Sequence, residues 1–291
     1  MAVSDLDLGG LVSPLGVLPR RSLLARANLN IWLPVGVFGL LLLGAFVAPS
    51  VFHIPGPNTG SLFDTLKPPF TRGHLLGTTN LGNDMLSQCL YGARITLEVS
   101  FAAVGIGYVV GGSIGAIAGY VGGLLDTIVM RVLDMVLAFP FLVLAMTIVT
   151  FLGSSERNLI LTLAFVLLPS KARIARAVTL KMRQRDFILA SRLLGKKPRT
   201  IIIRHLIPNI APTLMTFAFL NLSTIMIVMA SLSYLGLGLP PSVPSWGYLI
   251  SQGQGYLVTD PWMALIPGAF LFATIMSLNA LSDNLRTRFK V

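Results

Sequence analysis

Between Lys181 and Pro208 the chain reads KMRQRDFILASRLLGKKPRTIIIRHLIP, a basic amphipathic stretch set between two apolar blocks. Eleven of the 22 Lys and Arg residues fall between positions 171 and 204: Lys171, Arg173, Arg176, Lys181, Arg183, Arg185, Arg192, Lys196, Lys197, Arg199 and Arg204. A segment so basic resists translocation, which puts loop 171–204 on the cytoplasmic side of a membrane. Inside it, Phe187, Ile188, Ala190, Leu193 and Leu194 recur at helical spacing, and Gly195 stands where a helix would stop. The spacing predicts a short helix parallel to the membrane, with one apolar face and a basic rim, on which a cytoplasmic partner could dock. Taken alone, these residues leave two simpler roles open: the charges could only fix topology, or the helix could lie on anionic lipid.

The rest of the composition agrees with a membrane setting. Of 291 residues, 54% are hydrophobic and 11% charged, against about 25% charged in soluble domains. The apolar residues come in long blocks, which defines an all-α integral membrane protein. The net charge of +11 does not point to nucleic acid, because the cations gather at the ends of apolar blocks as topology signals do. One cysteine, Cys89, excludes an internal disulfide and reads as a small apolar packer. With only His53, His74 and His205 beside it, no metal-ligand spacing arises. There is no Gly-rich phosphate loop followed by Lys-Ser or Lys-Thr, and no nucleophile, base and orienter can be assembled. No catalytic residue is expected, and energy from ATP would have to come from another subunit.

Six spans are predicted. Residues 1–30 form a polar cytoplasmic tail ending in Arg20, Arg21 and Arg26. Residues 31–52 form the first span. A signal peptide could resemble it, but its basic region sits too deep and its apolar run exceeds a usual ~7–15-residue core. Residues 53–91 form a Pro-broken loop outside, and 92–285 a five-helix core, with a cytoplasmic end at 286–291. Within the core the spans are read as 95–120, 128–152, 158 onward, 206–234 and 262–284. The fourth is short, with 158–170 preceding Lys171, so Lys171, Arg173 and Arg176 are expected to snorkel as the helix runs on into the cytoplasm. Phe139-Pro140 should kink the third span. Only Lys67, Arg72, Arg94 and Arg157 then lie outside, the asymmetry that the positive-inside rule asks for.

Individual residues carry finer expectations. Gly107, Gly111, Gly115, Gly119 and Gly123 fall four apart, a face on which a neighbouring backbone can approach closely. Arg94 with Glu98, and Arg131 with Asp134, have the spacing of intrahelical pairs. Asn221, Ser223, Thr224 and Ser231 make the fifth span the most polar, either lining a pathway or bonding between helices. Trp246 and Tyr248 suit a membrane interface.

Three motifs resemble one family. Asp186-Phe187-Ile188-Leu189-Ala190-Ser191-Arg192-Leu193-Leu194-Gly195, with Pro208 downstream, resembles the coupling loop of ABC importer permeases. Leu189 stands where that family has glutamate. His74 to Ser87 with Tyr91-Gly92-Ala93-Arg94 is similar to the peptide-type permeases, departing at Asn80 and Asn83. Leu232 to Gly238 and Pro244-Ser245-Trp246-Gly247 resemble the peptide and nickel branch. The resemblance implies a type I ABC importer permease fold and transport of oligopeptides or dipeptides, with a nickel-type permease as the near alternative. It further implies a second homologous permease and two ATP-binding subunits, or one fused ATPase, that carry the ATP and Mg. An extracytoplasmic binding protein and membrane lipid complete the surroundings. From a different class, a stand-alone secondary transporter would need an intramembrane relay or repeated halves. Glu98, Arg131 and Asp134 are scant for a relay, and no repeat is visible.

Overall fold

The computed structural model describes the backbone of residues 20–289 and the side chains of 33–284. The side chains of Arg20, Arg21, Arg26, Arg286, Arg288 and Lys290, and the tail 1–19, lie outside that range. Helix α1 (Arg20–Phe46) and the short α2 (Ala48–Val51) lead into a loop, 53–84, with one 3-10 turn at Leu62–Asp64. Then come α3 (Met85–Val121), α4 (Gly123–Leu137), α5 (Phe141–Leu152), α6 (Glu156–Met182), α7 (Asp186–Leu193), α8 (Pro198–Ile201), α9 (Ile207–Tyr234), α10 (Trp246–Gln254) and α11 (Trp262–Phe289). Among the described residues there is no β-strand, only two isolated bridges in the loop.

Among the described residues, four helices are long and apolar enough to cross a membrane: 85–121, 156–182, 198–234 and 262–284. Helices α4 and α5 meet at 87° and make a fifth span only if counted as one broken helix. Phe139-Pro140 lies at that bend: Pro140 has no amide hydrogen to continue the ladder, and it caps α5 instead. The apolar part of α1 within the described side chains is the shorter stretch 33–46.

Helix α3 starts ten residues before the expected span because Asp84 caps it, its carboxylate accepting from Ser87 N at 2.9 Å. At 37 residues it is about 55 Å long, well beyond the ~30 Å hydrocarbon core. Loop 53–84 is built onto that extension. His74 Nδ1 lies 3.0 Å from Asp84, Ser87 Oγ donates to Pro55 O at 2.7 Å, and Asn58 reaches Ser242 O at 2.7 Å. Asn83, one of the motif departures, accepts from Gly60 N at 2.9 Å. A hydrogen bond from Lys67 holds the Asp64 carboxyl below its usual range.

The core is organised around α3 against α6. A Cβ on Gly107 would lie 3.1 Å from Leu167, on Gly111 2.7 Å from Leu168 O, on Gly115 2.0 Å from Ala172 O, and on Gly119 3.1 Å from Arg176 O. These four residues form the stripe on which α6 rests directly against the α3 backbone. Gly123 does not share it. The chain breaks at Gly122, Gly123 takes φ +62 at the start of α4, and nothing lies within 4 Å of its Cβ position.

Trp246 is not at an interface. It is fully buried, its Nε1 donating to Cys89 O at 3.1 Å, and it opens α10, a helix absent from the expectation. The signal was present: Ser245 is its N-cap, and Trp246, Leu249, Ile250 and Gly253 follow helical spacing.

Candidate functional site

The basic stretch folds as two short helices hung below α3 and α9. Helix α7 begins at Asp186, whose carboxylate suits the positive end of the helix dipole. It stops at Gly195, which takes φ +67 so that Gly195 N can reach Arg192 O at 2.9 Å and Lys196 N can reach Ser191 O at 3.2 Å. The two faces differ sharply. Ile188 and Ser191 point inward; Ser191 also donates to Phe187 O at 2.8 Å. Phe187, Leu189, Leu193 and Leu194 stay exposed, Leu193 at 89%. Ala190 and Arg192 are exposed too.

Ile188 therefore differs from the expectation that grouped it with the outward anchors. It belongs to a compact cluster with Ala116 and Tyr120 of α3, Ile201, Ile202, Leu206 and Ile210. Removing such a side chain from a filled core costs about 2–5 kcal/mol. Arg192 adds a second tie, its guanidinium 4.7 Å from the Tyr120 ring centroid and its Nε donating to the Tyr120 hydroxyl at 3.2 Å. Helix α8 continues through one π-turn, Ile202–Leu206, into α9, so that a single run spans 198–234. Pro208 sits in the first turn of α9. The widened turn accommodates the missing amide and the ring, which an α-helical turn would have to strain or break to fit.

Above this platform, α6 and Arg183 at its end carry a row of cations tied to other helices. Lys171 is buried, 4% exposed, and donates to Asn221 Oδ1 of α9 at 2.6 Å. Its ammonium lies 5.2 Å from the centroid of the Tyr108 ring. Arg173 pairs with Asp134 at 2.6 Å, so Asp134 is held by α6 rather than by Arg131. Arg176 grips Asp126 through two bonds of 2.6 Å. Arg183 donates to Gly119 O at 3.1 Å. Helical spacing could propose only partners within one helix; each of these connects two. Arg94 and Glu98 do pair within α3, at 3.0 Å.

The polar residues of α9 do not share one face. Asn221 turns inward, donating to Tyr108 Oη at 2.9 Å and to Phe217 O at 2.6 Å. Ser223 is buried, and its hydroxyl has no hydrogen-bond partner among the described residues. Thr224 is exposed, and Ser231 bonds back to Ile227 O at 2.8 Å. Tyr108, Tyr120 and Asp126 are the site residues that sequence patterning passed over. The aromatics look like apolar filling in a membrane span, and Asp126 looks like part of a turn.

Helices long and apolar enough to cross a membrane are joined to a basic platform that carries one exposed apolar helix. Residues 111–291 match the family described as binding-protein-dependent transport system inner membrane component, and the chain belongs to that family. It is 34% identical over 86% of its length, and 83% of the relative's, to the glutathione transport system permease protein of Pectobacterium atrosepticum. It is 32% identical to the dipeptide transport system permease protein of Alkalihalophilus pseudofirmus, over 87% of this chain and 84% of that one. A peptide transport system permease protein of Brucella suis, itself named as a tentative assignment, is 35% identical over 93% and 90%. Among solved structures, the MetNI methionine ABC transporter in an inward-facing conformation superimposes with a TM-score of 0.58 at 22% identity, covering 70% of this chain and 97% of that one.

Proposed function

We propose that this chain is one of two permease subunits of an ATP-driven importer of small peptides, and that α7 is its point of attachment to the ATP-binding subunits. The observation that carries this reading is the two-sided construction of α7. Ile188 and Arg192 fix it to the ends of α3 and α9, while Phe187, Leu189, Leu193 and Leu194 face outward. A helix gripped from behind and apolar in front works as a lever: force applied to its front moves the transmembrane helices behind it. The basic residues around it form charged contacts at the rim of the ATPase groove. Leu189 replaces a polar contact there with an apolar one.

The remaining parts follow from the resemblance and from the relatives' names. The chain crosses the membrane six times with both ends in the cytoplasm, and it pairs with a second, homologous permease around a common pathway. ATP and Mg are bound and hydrolysed in partner subunits, since this chain supplies no phosphate loop. An extracytoplasmic binding protein delivers the peptide, and closure of the ATPases rocks the helices between outward and inward openings. The test is to purify the tagged chain in detergent and identify what elutes with it. Co-elution of a second permease and ATP-binding subunits is expected; elution of this chain alone would sink the reading.

A further inference from the structure

Of the cations in the α6 row, Arg173 and Arg176 each meet an aspartate. Lys171 does not. Its contacts are the Asn221 carboxamide and the Tyr108 ring, both neutral. An ionisable side chain at membrane depth without a counter-charge is costly, and such residues mark functional sites by default. Lys171 lies fifteen positions beyond Glu156, the start of α6, or about 22 Å along the helix at ~1.5 Å per residue.

The donors of this cluster are only partly used. Both amino hydrogens of Asn221 are committed, to Tyr108 Oη and Phe217 O, and its Oδ1 accepts from Lys171. The Phe217 carbonyl fixes which way the amide points, since only the amino end can bond to it. Tyr108 Oη already accepts, so its own proton remains to be given. Lys171 has donated once of three times. The donors that remain, two ammonium hydrogens and one hydroxyl hydrogen, together suit a carboxylate.

Tyr108 is buried, 7% exposed, at the wall of a groove. It lines a groove of about 370 Å³ between α3 and α9, with Gly105, Gly112, Ser113, Leu214 and Met215. The glycines and the serine leave that wall low. A larger groove, about 520 Å³, between α3, α5 and α6 is lined by apolar residues except for Thr162.

We propose that Lys171 and Tyr108, oriented by Asn221, form a carboxylate station on the transport path, which receives the free C-terminal carboxylate of a peptide as the α3–α9 groove opens. This rests on the peptide-importer reading and adds to it a chemical preference located in this chain. The same lever that moves α7 acts on α3 and α9, the helices that carry Tyr108 and Asn221. Opening between them would uncover the ammonium at the moment an anion arrives to replace its neutral contacts.

The test uses the complete complex in proteoliposomes with its binding protein and ATP. Two labelled libraries of dipeptides to pentapeptides are offered, one with free C-terminal carboxylates and one amidated. Because the binding protein is common to every measurement, its own preference cancels when the acid-to-amide uptake ratio of a variant is divided by that of the wild type. Lys171→Gln should lower that ratio about tenfold, the scale of one lost charge-assisted bond. Tyr108→Phe keeps the ring beneath the ammonium and should lower it about threefold. A ratio unchanged in both variants, with uptake of acid and amide falling together, would show Lys171 to be a packing element and overturn the station. Uptake of neither library by the wild type would overturn the peptide reading and the station with it.

Discussion

Lys171 shows how one residue can be placed correctly on its helix and still be misjudged. Its position, thirteen residues into an apolar block, marks it as intramembrane, and its long stem offers an easy escape by snorkelling. The escape is not taken, because Asn221, fifty positions away, meets it. Glycines were easier to read. Their four-residue spacing announces a face, and the face is used up to the break at Gly122. Gly115 gives the sharpest test at this scale. An added methyl group would lie 2.0 Å from Ala172 O, and neither backbone can move without parting α3 from α6. Gly115→Ala should destabilise the purified protein by about 3 kcal/mol or more, the upper end of overpacking costs, read as a lowered Tm. Gly268→Ala, where nothing lies within 4 Å, is the matched control. It should leave Tm unchanged or raise it, since alanine is the better helix former by about 1 kcal/mol.

At the scale of the element, α7 was legible in outline and ambiguous in orientation. Asp186 at its start and Gly195 at its end set the limits, but six apolar residues within eight positions, 187–194, allow more than one buried face. Tertiary contacts choose Ile188. This separates two variants that sequence alone treats alike. Ile188→Ala removes a filled core position and should cost about 2–5 kcal/mol of stability, visible as a lowered Tm of the isolated chain. Leu193→Asp touches nothing inside the chain and should leave that Tm in place, yet reduce substrate-stimulated ATPase activity of the assembled complex more than tenfold, as loss of an interface hot spot does. Full activity in a stably assembled Leu193→Asp complex would remove α7 from the coupling interface. Helix α10 shows the opposite failure: its cap and spacing were visible, but Gly and Pro on either side drew the whole segment into a loop.

For the whole molecule, the claim most open to direct measurement is orientation. Lys197 is exposed just beyond α7, and Cys89, the chain's single cysteine, is fully buried. A Lys197→Cys protein should thus react with a membrane-impermeant thiol reagent in inside-out vesicles and stay unlabelled in right-side-out ones. The reverse pattern would invert the topology. By itself the sequence determined what depends on composition and short range: a helical membrane protein, the basic platform and its short helix, the close-packing stripe, and the bend at Phe139-Pro140. Only the tertiary structure decided what depends on residues far apart in the chain. It chose which face of α7 is gripped, paired Arg173 with Asp134 and Arg176 with Asp126, and brought Lys171, Tyr108 and Asn221 together. The physical reason is the membrane setting itself. Hydrophobic periodicity, which in water tells the inside of a helix from its outside, fades where lipid and protein interior are equally apolar. Which side chains meet is then set by close packing and hydrogen bonds between helices, and neither leaves a periodic trace in the sequence.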